Sequence, residues 1–556
     1  MKTYLEKIRN ELSELISKYS GLSKEDIINS FSKPPSYEMG DISFPCFSLA
    51  KTKKKSPNLI SEEIAKLPKP KSIEKINTVG GYVNFYFNKK LFSNNLSKEA
   101  FGKNYGTNES GKGKKIVIEM SSPNIAKPFG IGHLRSTVIG ESLSRIYQAN
   151  GYKTIKINYL GDWGTQFGKL IYAIKKWGNK KNNLNHLQEL YIKANENTNE
   201  EIESEFRNYF KQMEQGNKEA LDLWKKIKKQ SIEEFNKIYT LLGVSFDKIS
   251  GESEYNKKSQ KITEELLKKK IAKQSQGSII VDLESEGKSV GILRKSDGAT
   301  IYLSRDIAAA IDRKDKYDFD EMIYEVGSEQ KLHFQQLFII LEKMGYKWNL
   351  KHISHGLYLG KDGKKLSTRQ GSSVKMKEIW EYTYDLVLKE LEKRQGTLNK
   401  SDYERAKKIT RSAIIYGDVS NYRENNIKYD INSIVSMEGD TGPYLLYSYA
   451  RCKSILRKLK YKREKPISEI PDNNEYKLIS KISEFPDVVL TAKNNDDPSE
   501  IAKYSMELAR EFNSFYTQCR VKSSEREKYR SQLIDMYSSV LKDSLNLLGI
   551  ETLEKM

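Results

Sequence analysis

The stretch SSPNIAKPFGIGHLRST, residues 121–137, sets a lysine, a histidine and closely spaced glycines between an apolar run and a helical pattern. Phosphate chemistry suits that combination. Gly130 and Gly132 let a phosphate approach the backbone closely. His133 on a first helical turn can donate to a phosphoryl oxygen, and Lys127 adds a mobile positive charge. A helix start turns its free N–H groups and positive dipole end toward the same place. Farther on, in ATIYLSRDIAAAID, Tyr302 and Asp306 stand four residues apart. On a helix they share one face, with the phenol beside the carboxylate.

These side chains need a scaffold. KKIVIEM, residues 114–120, is a continuous apolar run suited to a strand covered on both faces. Leu134, Val138, Ile139, Leu143 and Ile146 then make a helical stripe that ends at Asn150 and Gly151. KTIKINYL, residues 153–160, is a second strand. Strand, glycine-bearing turn, helix and strand make a βαβ unit, the start of a nucleotide-binding doubly wound sheet. Strand and helix signals return at GSIIVDL, at ATIYLSRDIAAAIDR, at EMIYEVGSEQKLHFQQLFIILEKMGY and at KHISHGLYLG, and predict that the same sheet continues. Residues 175–245 are charged and helical in pattern with no legible chemistry, which predicts a connective insertion.

Before this unit, GGYVNFYF alternates as a strand with Val83, Phe85 and Phe87 on one face. FGKNYGTNESGKGKK, residues 101–115, has no periodicity and reads as a linker. From residue 401 the pattern is almost purely helical. The expected domains are an α+β module over residues 1–105, an α/β domain with a Rossmann-like doubly wound parallel sheet over 113–400, its helical insertion at about 175–245, and an all-α domain over 401–556.

A formal net charge of +21 on 556 residues favours a polyanionic partner such as nucleic acid. Cys46, Cys452 and Cys519 are odd in number and widely spaced, which argues against a disulfide framework and a zinc site, so no protein metal site is expected. Leu5, Ile8, Leu12, Leu15 and Ile16 make the first segment an amphipathic helix rather than a secretory signal. No segment approaches the ~20 apolar residues of a membrane span. A soluble, reducing, cytoplasmic setting is the expectation.

The motifs resemble those of the class I aminoacyl-tRNA synthetases. Gly130-Ile131-Gly132-His133 stands where that class has His-x-Gly-His, and Gly130 replaces the first histidine, removing one donor to ATP. The surrounding SSPNIAKPFGIGHLRST and NYLGDWGTQFGKLI resemble the arginyl-tRNA synthetases at nearly every other place. Lys365-Leu366-Ser367-Thr368-Arg369, in GKDGKKLSTRQGSS, resembles the second class signature, Lys-Met-Ser-Lys-Ser. Thr368 replaces its second lysine, a departure common in arginyl-tRNA synthetases, where a lysine at the place of Lys127 is thought to substitute.

The resemblance implies ATP, Mg²⁺, L-arginine and tRNA(Arg) as the reaction's components and a monomer as the working form. It gives Lys127, His133, Lys365, Ser367 and Arg369 to catalysis, and Gly130, Gly132, His133, His355, Gly356 and Lys365 to ATP. It gives Ser121, Asn124, Glu252, Tyr302, Asp306 and Gln330 to arginine, with Glu254 a local competitor of Glu252. A guanidinium needs fixed acceptors that meet its planar fork. The helical C-terminal part resembles the family's anticodon-binding domain, where Tyr447 and Tyr516 can stack on splayed bases. The N-terminal module and its KTKKK run resemble the family's additional tRNA-contacting domain. Two other functions remain open: a catalytically silent tRNA-binding paralogue, and a nucleotidyltransferase acting on a small molecule.

Overall fold

The structure is a computed structural model, which describes residues 3–102, 104–178, 183–296, 301–360, 363, 366, 374–428, 430–464, 466 and 468–556. The chain opens with helix α1 (Tyr4–Ser20), where the Thr3 hydroxyl accepts from the Glu6 amide and the Glu6 carboxylate accepts from the Thr3 amide. Its apolar stripe buries Ile8, Leu12 and Ile16. Helices α2 (Lys24–Ser30), α3 (Phe47–Lys53), α4 (Pro57–Ala65) and α5 (Lys89–Ala100) accompany an antiparallel sheet of β1 (Ile42–Pro45), β2 (Ile73–Val79) and β3 (Tyr82–Phe87) in the order β1-β3-β2. Val83, Phe85 and Phe87 of β3 all lie in the core.

The stretch after α5 is docked. Tyr105 donates its hydroxyl to the Ile482 carbonyl at 2.9 Å, and the Asn108 amide donates to the Ala149 carbonyl at 2.9 Å. A Cβ on Gly106 would stand 2.3 Å from the Phe485 ring, and one on Gly111 1.9 Å from the Tyr152 ring. Glycine is required where these aromatic rings lean on the backbone.

Next come β4 (Lys115–Glu119), α6 (Gly132–Ala149), β5 (Lys153–Leu160) and α7 (Thr165–Trp177), then the insertion helices α8 (Leu184–Glu196), α9 (Glu200–Glu214) and α10 (Lys218–Leu242). They are followed by β6 (Lys248–Gly251), α11 (Asn256–Lys268), β7 (Ala272–Ser275), β8 (Ser278–Val281), β9 (Gly291–Arg294) and α12 (Tyr302–Tyr317). The unit continues with β10 (Glu321–Gly327), α13 (Lys331–Lys343), β11 (Asn349–His355) and the short β12 (Tyr358–Leu359). Strands β11-β10-β4-β5-β6 form one parallel sheet in that order. Ile116, Val117 and Ile118 of β4 are wholly buried, as a run without alternation requires. The chain leaves β4 toward β5 on one side and returns through β10 on the other, a topological switch point where such sheets open a crevice.

One expectation is corrected. GSIIVDL does not continue this sheet: β8 lies in a separate antiparallel sheet in the order β7-β8-β9. Gln276 and Gly277 both have positive φ, 46° and 77°, and close a two-residue hairpin from β7. A hairpin makes antiparallel neighbours, whereas a parallel strand needs a crossover. In KHISHGLYLG only the first part joins the main sheet, and β12 pairs instead with a strand farther along the chain.

The remaining described residues are mostly helical: α14 (Met376–Gln395), α15 (Lys400–Val419), then β13 (Ile427–Lys428), which pairs with β12, and α16 (Ile431–Ile434). Helices α17 (Gly442–Lys458), α18 (Asn473–Ser483), α19 (Phe485–Asn494), α20 (Ser499–Gln518) and α21 (Glu527–Leu547) complete the chain. Helix α21 packs on α6 and α5, where Ser142 donates to the Leu547 carbonyl at 2.9 Å and Ser93 shares a 2.8 Å bond with the Tyr529 hydroxyl. Arg135 of α6 is 1% exposed. Its Nε stands 3.4 Å from Oδ2 of the fully buried Asp418 on α15, and its Nη1 donates to the Asn425 carbonyl at 2.7 Å. Tyr358 donates its hydroxyl to the same carboxylate, so a desolvated cluster ties α6, β12 and α15 together. The three cysteines are free and buried. Among the described residues, no helix is long and apolar enough to cross a membrane.

Candidate active site

The turn between β4 and α6 is held in a conformation that side chains rarely adopt, with φ of 72° at Ser121, 46° at Ser122 and 67° at Ala126. Bonds from three directions hold it there. The Ser121 amide donates to Ser136 Oγ at 2.8 Å, and that hydroxyl donates to the Glu325 carbonyl of β10 at 2.6 Å. Ser121 Oγ lies 2.8 Å from the Tyr239 hydroxyl and accepts from Thr137 at 2.9 Å. The Ala126 amide donates to Ser231 Oγ at 3.0 Å. Ser231 and Tyr239 belong to α10, so the insertion that reads as merely connective supplies part of the site's floor. Asn124 bridges Gly161 in parallel pairing, and its Oδ1 would stand 2.0 Å from a Cβ at Gly161. That glycine is required by the approach.

His133 sits on the first turn of α6, half-buried, with its ring 5.4 Å from that of Phe129. Desolvation pushes its pKa down to about 4, a bond to the Ser121 backbone opposes this, and the charges of His355 and Lys127 add to the fall. The imidazole is therefore neutral near pH 7. Gly132 is exposed and a Cβ there would meet nothing, which leaves open space before the helix. Gly130 is buried in an antiparallel bridge with Lys375, flanked by Ile131 N–H to Val374 C=O and Met376 N–H to Phe129 C=O, both 2.8 Å. The first signature turn is thus laced to the backbone that leaves the second. Lys127 is exposed, with Nζ 5.4 Å from the centre of the Tyr191 ring on α8. Lys365, Ser367, Thr368 and Arg369 lie outside the described residues. Leu366 between them donates its amide to the Tyr358 carbonyl at 2.8 Å. His355 ends β11, buried, with Nδ1 2.8 Å from Oε1 of the fully buried Glu325. A Cβ on Gly356 would stand 2.5 Å from the Asn425 carbonyl oxygen.

A second set of these residues is acidic. Tyr302 begins α12 and is 52% exposed, with its ring edge-on to His333. Asp306, one turn on, accepts from His333 Nε2 through Oδ2, while its Oδ1 is buried with no bonded partner. Glu252 follows β6, and its Oε2 stands 2.8 Å from Nη2 of Arg305. Desolvation pushes its carboxyl up to about 7; Arg305 opposes this, and Asp306 and Asp162 reinforce it. Glu254 turns instead toward Lys248, 3.9 Å away, so the two glutamates are separated by direction. Gln330 is exposed in the turn before α13. Tyr447 of α17 is 40% exposed, and Tyr516 of α20 is half-buried with the Arg451 guanidinium 4.5 Å from its ring centre.

The sequence reading missed Asp162, His333 and Glu325. Asp162 is wholly buried and accepts from the Ser253 amide at 2.8 Å, from Ser253 Oγ at 2.7 Å and from Lys228 Nζ at 2.6 Å, pinning the turn that presents Glu252. A Cβ on Gly251 would stand 2.4 Å from Asp162 Oδ2. The glycine-flanked Asp162 in GDWG was the one local signal; His333 and Glu325 are brought in by folding alone. Helix-start amides and a neutral imidazole suit an anionic group, and the two carboxylates suit a cationic one. Among the described residues, no group of three or more His, Cys, Asp or Glu side chains is arranged to hold a metal ion.

Residues 95–431 match the family model described as tRNA synthetases class I (R), catalytic domain. Residues 445–556 match the DALR anticodon binding domain, and residues 3–87 the arginyl tRNA synthetase N terminal domain. The chain is 41% identical to arginine–tRNA ligase 1 of Bacillus thuringiensis subsp. konkukian, over 96% of this chain and 97% of that one. It is 41% identical to the arginine–tRNA ligase of Clostridium perfringens, over 98% and 99%. Its fold is similar to the crystal structure of arginyl-tRNA synthetase from Plasmodium falciparum, with a TM-score of 0.82, 26% identity and full coverage of both chains. The Thermus thermophilus arginyl-tRNA synthetase shares the fold at a TM-score of 0.84 and 21% identity, again over both whole chains. These relatives leave the silent-paralogue and nucleotidyltransferase alternatives without support. These matches run along nearly the whole length of the chain, and the chain belongs to the class I arginyl-tRNA synthetase family.

Proposed function

We propose that the chain activates L-arginine with magnesium-bound ATP and passes the arginyl group to the 2′-hydroxyl of the terminal adenosine of tRNA(Arg). In the first step the arginine carboxylate attacks the α-phosphorus in line, an oxygen–phosphorus bond forms, and pyrophosphate leaves. In the second, the ribose hydroxyl attacks the activated carbonyl and AMP leaves. Neither step requires a nucleophile from the protein. Catalysis comes from positioning and from stabilising charge on the transferring phosphorus. His133, held neutral, is the donor to phosphoryl oxygens. Lys127, Lys365, Ser367 and Arg369 act on the departing pyrophosphate, with Gly130, Gly132, His355 and Gly356 shaping the nucleotide's seat. Ser121 and Asn124 face the arginine backbone, and Glu252, Tyr302, Asp306 and Gln330 its side chain.

Residues 1–105 and 401–556 serve as tRNA-contacting units around a catalytic unit at 113–400, with Tyr447 and Tyr516 as base-stacking groups. The protein works as a cytoplasmic monomer on this reading. The observation that carries it is the acid pair of Glu252 and Asp306, whose charges act on each other, in the same catalytic unit as a neutral His133 at an open helix start. Pyrophosphate exchange with arginine, ATP and tRNA(Arg) tests it. Exchange that needs arginine and falls to background in His133→Ala is expected; equal exchange in that variant would overturn it.

A further inference from the structure

Tyr159 lies near the C-terminal end of β5 and is 8% exposed. Its ring packs on Tyr255, 6.0 Å between centroids, and on Ala308 and Ala309 of α12, with the Arg313 guanidinium 4.8 Å from the ring centre. Ala308 and Ala309 follow Asp306 within one turn of α12. The hydroxyl at its tip is buried and has no hydrogen-bond partner. Asp306 and Glu252 are the charged groups that act on it most strongly, and with burial they drive its pKa up, so the phenol keeps its proton. Asp306 Oδ1 is also buried and unbonded. Two buried polar atoms without partners, one of them in the acid pair, are costly in a protein left by itself. A ligand with several N–H donors would satisfy both.

We propose that the Tyr159 hydroxyl is a further member of the arginine side chain's seat, accepting an N–H from the guanidinium that Asp306 and Glu252 hold. This rests on the reading that those two carboxylates face arginine. A guanidinium has five N–H donors in a fixed fork, enough for both carboxylates and a phenol. An ammonium carries its three N–H donors on one nitrogen and lacks the planar fork that spans separated acceptors, so a site built around that fork rejects it strongly. Tyr159 is thus a specificity-determining residue.

The test is Tyr159→Phe in the full-length enzyme, with Asp306→Asn beside it. Pyrophosphate exchange in the presence of tRNA gives separate KM values for arginine and ATP, and thermal unfolding gives the stability of the unliganded protein. For Tyr159→Phe the KM for arginine is expected to rise about tenfold with that for ATP unchanged, as the loss of one hydrogen bond implies. The unfolding midpoint should hold or rise, because the removed hydroxyl has no partner in the free protein. An unchanged arginine KM in Tyr159→Phe, with a raised one in Asp306→Asn, would overturn the proposal and leave the site reading standing. Unchanged values in both would overturn the site reading and the proposal with it. A lowered midpoint with both KM values raised would mark a packing role and also overturn it.

Discussion

Oδ2 of Asp306 lies 2.7 Å from Nε2 of His333, and the Tyr302 ring meets the same imidazole edge-on with centroids 4.9 Å apart. The histidine comes from α13 and stands between two residues that the helical spacing pairs directly. It engages one carboxylate oxygen, while the other is buried without a partner. Asp306→Ala should therefore abolish arginine activation with little change in ATP affinity, because losing one partner of a buried charge pair costs about 2–5 kcal/mol of binding. His333→Ala should weaken arginine in the same direction by a smaller factor. Steady-state exchange with each substrate varied in turn checks both.

Glu252 should make arginine affinity depend on pH. Its carboxyl is raised from 4.5 to about 7 in the folded chain, so between those values the native state holds a proton that the unfolded state has released. Stability of the free protein should fall as pH rises through this window, by on the order of 3 kcal/mol in all, and level off above it. A guanidinium needs the ionised form, so arginine affinity should rise over the same range with release of a proton. Denaturant midpoints and calorimetry in buffers of different ionisation enthalpy measure the two effects. Glu252→Gln should flatten both.

His133 is expected to act on the transition state. Replacing it with alanine removes one donor to the phosphoryl oxygens, and loss of a comparable preorganised donor lowers kcat about 10²–10³-fold. The KM for arginine should stay near its original value. Single-turnover adenylate formation separates the two.

Arg135 and Asp418 form the cluster that joins α6 to α15. Arg135→Met leaves a buried carboxylate uncompensated and should cost about 3–5 kcal/mol of stability. Arg135→Met combined with Asp418→Leu should recover most of the loss. Thermal unfolding of the single and double variants reads this directly.

Much of this fold is legible in the chain. The unalternating apolar residues of β4, the stripe from Leu134 to Ile146 and the run of β5 each specify their element locally, and together they announce a crevice at the strand ends. The destination of β8 is not legible from its apolar residues, because the turn at Gln276 and Gly277 decides it. Ser231 and Tyr239 are hidden for another reason: they meet the first signature turn across about a hundred intervening residues, and no local periodicity records such a contact. Asp162 presents Glu252 across a similar gap. Residues that bear the chemistry announce themselves by type; those that aim them do so only once the chain is folded.

Cys46 belongs to the N-terminal module, Cys452 to α17 and Cys519 to the segment after α20, and all are sealed from solvent. Burial also drives the Cys46 thiol up to about 12, which keeps it unreactive while covered. The chain therefore carries its own clock of local opening: the order in which an alkylating reagent marks these sulfurs tells which part of the molecule breathes first. The parallel sheet holds no cysteine in its strands, so the reagent times the outer parts while leaving those strands untouched.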